Sequence, residues 1–153
     1  MSPVADRLAE LGVTLPAVAK PVAAYVPAVV TGNLVYTAGQ LPFVDGALPA
    51  TGKFGEALTA EDGPVLARQC ALNALAAVES VIGSLDRVTR IVKVVAFVAS
   101  TPDFTAQPTV ANGASVFLGE VFGDIGVHAR SAVGVPSLPL DSPVEVELIV
   151  EFA

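Results

Sequence analysis

Hydrophobic positions along this chain change their period several times, and each change marks an element. From 144 to 152, Val144, Val146, Leu148, Val150 and Phe152 alternate with Glu145, Glu147, Ile149 and Glu151. That two-residue period predicts a half-buried strand with one apolar and one mostly acidic face. Residues 88–99 (VTRIVKVVAFVA) are β-branched and nearly continuous in hydrophobicity, the pattern of a central strand buried on both faces. Residues 24–30 and 33–38, rich in Val, Tyr, Thr and Leu, predict a hairpin turning at Gly32-Asn33. Residues 130–135 predict one more strand.

The period becomes helical between these strands. Ala67, Ala71, Leu75, Val78 and Ile82 recur along one helix face. Thr59-Ala-Glu-Asp62 opens that helix as a capping box with Asp in the place of Glu or Gln, Pro64 suits its first turn, and Gly83 suits its C-terminal cap. A second helix is expected over about 107–121, with Val110, Ala114, Phe117 and Val121 on its apolar face and Ser100-Thr-Pro-Asp103 as its start signal. Asn112-Gly113 is locally unfavourable there, since glycine costs about 1 kcal/mol against alanine, and it hints at close packing. A short helix over 4–12 ends at Gly12, 15–20 is a connector, and 42–56 is loop-like. The order ββαβαββ predicts a two-layer α+β domain, a mixed sheet with two helices on one face.

Composition adds a constraint on assembly. The 153 residues are 53% hydrophobic and only 15% charged, against roughly a quarter charged in an ordinary soluble domain. The surplus apolar surface implies burial in a homo-oligomer. Eight Lys and Arg against fifteen Asp and Glu give a net charge of -7, with no basic stripe, which argues against a nucleic-acid partner. A lone Cys70 and a lone His128 exclude an intrachain disulfide and a structural zinc site, and without a matching partner they argue against a Ser-His-Asp or Cys-His arrangement. Residues 21–44 lack charge, but Pro21, Pro27, Gly32, Gly39 and Pro42 interrupt them, so a strand pair is expected there and no membrane span. The N-terminus lacks a signal-peptide pattern, and a cytoplasmic protein is the expectation.

Two charges in apolar surroundings are the candidate chemistry. Arg130 carries a planar set of donors matched to a carboxylate. Glu145 can take a proton or polarise water, although Glu147 and Glu151 share its strand face and a solvated acidic face is the alternative. If the two final strands formed a tight hairpin, Glu145 would lie near residue 135; meeting Arg130 then requires a bend or a subunit boundary. Tyr25 is equally readable as a core aromatic, Asn112 as an ordinary helix polar group and Gly39 as a strand-end residue. Cys70 reads as a buried inert thiol, and His128 as a surface loop residue.

Several blocks share an order and spacing with one family: Tyr25, Gly32-Asn33-Leu-Val-Tyr-Thr-Ala-Gly39-Gln40-Leu-Pro42, Ala71-Leu-Asn73, Asp86-Arg-Val-Thr-Arg-Ile-Val-Lys-Val, Pro102-Asp-Phe104, Asn112, Ala129-Arg130-Ser-Ala-Val, Leu138-Pro139 and Val144-Glu145-Val-Glu147. The chain thereby resembles the reactive-intermediate deaminase family, also called RidA/YjgF or endoribonuclease L-PSP, over about residues 20–153, with 1–19 as an N-terminal helical extension. The resemblance implies a chorismate-mutase-like fold, a homotrimer with inter-subunit clefts, and cofactor-free hydrolysis of enamines and imines to 2-keto acids and ammonia. It implies Arg130 as carboxylate binder, Glu145 as the residue orienting water, and Tyr25, Gly39 and Asn112 as cleft-lining positions. Ala38 and Ala132 stand where members often carry Ser and Cys. The rival readings are a trimer that binds a small carboxylate without turnover, and an endoribonuclease.

Overall fold

The computed structural model describes residues 1–21 and 23–153. Its elements run α1 (Pro3–Glu10), β1 (Ala28–Thr31), β2 (Leu34–Thr37), α2 (Gly63–Ile82), β3 (Val88–Ala99), α3 (Gln107–Phe122), β4 (Ala129–Val135) and β5 (Val144–Phe152). The five strands form one mixed sheet in the order β1-β2-β5-β3-β4. β4 runs parallel to β3, while β5 lies antiparallel to both β3 and β2. The last two strands are therefore not a hairpin: they flank β3 on opposite sides. This is the two-layer α+β architecture expected from the periods.

The apolar residues of β5, Val144, Val146, Leu148 and Val150, are buried beneath the helices, with Ile91, Val94, Ala96 and Val98 of β3 beside them. The α2 stripe of Ala67, Ala71, Leu75, Val78 and Ile82 packs on them. Thr59 and Asp62 close a capping box, but on a short 3-10 turn (Ala60–Asp62) that leads into α2, and Gly83 at φ 86° ends the helix as read. Glycine is also needed at 32, where φ is 58° in the two-residue β1–β2 turn.

Three expectations are corrected. β3 is covered on one face only: Val95 and Phe97 remain half-buried on the other, so its continuous hydrophobicity leaves an apolar sheet face within the subunit. β1 begins at Ala28 rather than 24, because Tyr25 closes a tight turn onto the Ala23 carbonyl and Pro27 has no N–H to give a ladder. Ser100-Thr-Pro-Asp103 does not cap α3; Thr101 bonds Asp103 instead, and the helix starts at Gln107 with Pro108 in its first turn and no side-chain cap. The short α1 is tied down by Leu8 in the core, by the Val4 N–H donating to Asp86 Oδ1 at 3.0 Å, and by Arg7 Nε donating to the Glu120 carbonyl at 2.7 Å.

Gly113 has a physical explanation. A Cβ at this position would strike the Pro64 backbone, so the glycine is what lets α3 meet the start of α2. Alanine would gain about 1 kcal/mol of helix propensity. Overpacking costs typically about 1–3 kcal/mol, and here the obstacle is backbone that cannot rotate aside. Gly113→Ala is expected to lower the urea midpoint; an equal or higher midpoint would contradict the contact.

Candidate functional site

The residues singled out by sequence fall into two groups on opposite faces of the sheet. Arg130 pairs across β3 with Val94, and Val94 with Leu148, so Arg130 projects on the helix side. Glu145 pairs with Phe97, which pairs with Val133, on the open side. Two strand spacings and three residue steps separate the pair, roughly 14 Å. Within one subunit they do not meet.

The first group gathers around Arg130. One nitrogen, Nη1, donates to Asn112 Oδ1 at 2.8 Å and to Ser115 Oγ at 3.2 Å. Asn112 and Ser115 are three apart on α3 and thus share a face. Both Nη1 hydrogens are spent on these acceptors. The Nε–H and one Nη2–H, the side-on edge of the guanidinium, have no partner among the described residues. That edge has the geometry for two parallel bonds to a carboxylate. His128, expected as a surface loop residue, is half-buried and bonded at both ring nitrogens: Nδ1 to the Gly126 carbonyl at 2.6 Å and Nε2 to Ser115 Oγ at 2.8 Å.

The second group lines a cavity of about 220 Å³. Tyr25, Gly39 and Glu145 all face it, with Lys20, Phe43 and Leu140. Tyr25 is 52% exposed, which excludes the core reading. Gly39 is there for space, since a Cβ would overlap the Glu145 carboxylate. Burial pushes the Glu145 carboxyl above the ordinary glutamate range, and the negative charge of Glu147 adds to this. Neither Glu147 nor Glu151 lines this cavity. Its walls are mostly apolar, with Lys20, Tyr25 and Gln40 among them, around one half-buried acid, a setting that raises the basicity of a carboxylate. Leu140 reaches the cavity from a backbone in the left-handed region, φ 59°, followed by Asp141 at φ 57°; such non-glycine conformations cost of order 1–3 kcal/mol each.

Cys70 is wholly buried; burial first, and then the Glu145 charge, push its thiol well above the usual range. Among the described residues no group of His, Cys, Asp and Glu could hold a metal ion. Ser115, Lys20, Phe43 and Leu140 were not found by reading the sequence. For Ser115 a signal existed, its i+3 spacing from Asn112. Lys20, Phe43 and Leu140 come from three separate loops, and no periodicity joins them.

Known proteins extend these observations. The family described as "YjgF/chorismate_mutase-like, putative endoribonuclease" matches residues 5–152. Protein TCP17 of Trypanosoma cruzi is 46% identical over 150 residues, covering 97% of this chain and 94% of the relative. The crystal structure of protein Atu1372 from Agrobacterium tumefaciens, of unknown function, superposes with a TM-score of 0.91 at 42% identity, covering 99% of this chain and 93% of that one. TdcF of E. coli, solved with bound serine, superposes with a TM-score of 0.64 at 27% identity, covering 92% of this chain and 96% of its own.

Proposed function

The chain belongs to the YjgF/chorismate-mutase-like family, and on that premise we propose that it hydrolyses 2-imino and 2-enamino acids to 2-keto acids and ammonia, in clefts between the subunits of a homotrimer. The observation that carries the proposal is the division of the site. Arg130 with Asn112 offers a free carboxylate-binding edge on one side of the sheet, and Glu145 with Gly39 and Tyr25 offers a poised base in a cavity on the other. Within one subunit the Arg130 edge and the Glu145 carboxylate lie on opposite faces of the sheet. A cyclic assembly brings one subunit's Arg130 to its neighbour's Glu145. The open sheet face, with Val29, Tyr36 and Val133 exposed beside half-buried Val95 and Phe97, supplies the apolar surface for it. The serine held by TdcF is a small carboxylate, which supports the binding half of this reading.

In this scheme the substrate carboxylate sits on the Nε and Nη2 edge of Arg130. An enamine first takes a proton at its terminal carbon and becomes an iminium, the protonated form of the imine. Glu145 accepts a proton from water as the oxygen bonds to the imine carbon, and the C=N π pair moves to nitrogen. Nitrogen is then protonated, the C–N bond of the carbinolamine breaks, ammonia leaves, and the hydroxyl loses its proton to give the ketone. Two charged positions in a small cleft suffice for this, because the uncatalysed hydrolysis already proceeds and the protein has only to position and stabilise.

The test is pyruvate release from enzymatically generated 2-aminoacrylate, followed with lactate dehydrogenase, alongside sedimentation to obtain the mass of the assembly. Pyruvate is expected to form faster with the protein present, and the particle is expected to be three chains. No acceleration, together with calorimetric binding of 2-oxobutyrate, would favour the trimer that binds carboxylates without turnover. The nuclease named in the family description fits less well, since the net charge of -7 repels a polyanion.

A further inference from the structure

We propose that His128 is a positioning residue: acting through Ser115, it fixes the guanidinium of Arg130 in the orientation that receives a carboxylate. The inference rests on the carboxylate-binding role given to Arg130 above.

With a neutral imidazole the hydrogen bonds allow one arrangement of protons. Gly126 offers a carbonyl oxygen, which only accepts, so His128 Nδ1 must carry the hydrogen of their 2.6 Å bond. In the neutral imidazole Nε2 is then a lone pair, and the 2.8 Å bond to Ser115 has the hydroxyl as donor. With its hydrogen committed to His128, Ser115 Oγ presents a lone pair to Arg130 Nη1 at 3.2 Å. Asn112 Oδ1 takes the other Nη1 hydrogen at 2.8 Å. The chain of donors runs from Arg130 through Ser115 and His128 to a backbone carbonyl, the only fixed point in it. Two acceptors on Nη1 define the plane of the guanidinium; one would leave it free to turn. Without the imidazole the Ser115 hydroxyl can swing to its own helix backbone, a frequent choice of serine inside helices. Arg130 would then keep its charge but lose its aim.

Calorimetry with 2-oxobutyrate separates the possibilities. His128→Phe and Ser115→Ala are each expected to weaken binding roughly three- to tenfold, the scale of one hydrogen bond. The double variant should be no weaker than either single one, because both break the same chain. His128→Gln, which can keep an acceptor near the Nε2 position, should recover most of the loss; a merely space-filling role would be served as well by Phe. Imidazole 15N shifts of the wild-type protein should report the Nδ1-protonated tautomer, which does not depend on any variant folding. The Nε2-protonated tautomer, or wild-type affinity in His128→Phe, would overturn the inference alone. Absence of 2-oxobutyrate binding by the wild type would instead overturn the assignment of Arg130, and this inference with it.

Discussion

Arg130→Ala is expected to lower kcat/KM for 2-aminoacrylate hydrolysis by roughly 10²–10⁴-fold, more than any other single change to the first half-site. Charge-assisted hydrogen bonds contribute about 1.5–3 kcal/mol each, and the free Nε and Nη2 edge supplies two to a carboxylate. Their loss acts on binding, so KM should rise and the affinity for 2-oxobutyrate should fall in proportion. Arg130→Lys should be intermediate, because an ammonium keeps the charge but cannot present two parallel donors while also bonding Asn112 and Ser115. Stability should change little, since Asn112 is exposed and can turn to water. Equal rates for the wild type and the alanine variant would remove the premise of the proposed function.

Glu145→Gln tests the other half and should show the opposite kinetic signature. The amide keeps the shape that packs on Gly39 but cannot accept a proton, so kcat should fall about 10²–10⁴-fold with KM nearly unchanged. The pH profile follows from the raised carboxyl of the folded state. Activity needs the ionised form and is lost as pH falls through that raised value, so the acid limb should lie above the range of an ordinary glutamate. Stability has the reverse slope: between the unfolded and folded pKa the native state binds more protons, and stability declines as pH rises through that window. The glutamine variant lacks this slope. Its melting temperature at neutral pH should therefore equal or exceed that of the wild type while activity collapses. A fall in both together would mean that Glu145 is structural.

The opposed signatures also bear on the assembly. If binding and proton transfer belong to different chains, mixing the Arg130 and Glu145 variants should restore a fraction of activity in hybrid clefts that receive both intact groups. No such recovery is possible if both groups act within one subunit, and the register across β3 already keeps them apart.

Local chemistry made much of the fold legible. The alternation in β5, the capping box at Thr59, the alanine-rich stripe and Gly83 each report a preference of a few neighbouring residues, and each survives in the structure. Gly113 was legible as an anomaly, and only the Pro64 backbone beside it supplied the reason. The start of α3 near residue 107 was legible, but its supposed signal was not: Thr101 and Asp103 bond each other in a local turn, which competes with capping through the same atoms. The two-sided burial expected of β3 failed because hydrophobicity says that a face is covered without saying by what.

The chain by itself singled out the candidates: Arg130 and Glu145 as charges set in an apolar pattern, and Tyr25, Gly39 and Asn112 through the resemblance to a family. Which of them lie together was decided only in three dimensions. Strand order put β3 between β4 and β5, register sent Arg130 to the helix side and Glu145 to the open side, and α3 delivered Ser115 to a histidine that looked idle. Side-chain type is a property of one position, whereas sidedness and partnership depend on pairings between segments far apart in the chain, and a linear pattern does not encode these one residue at a time.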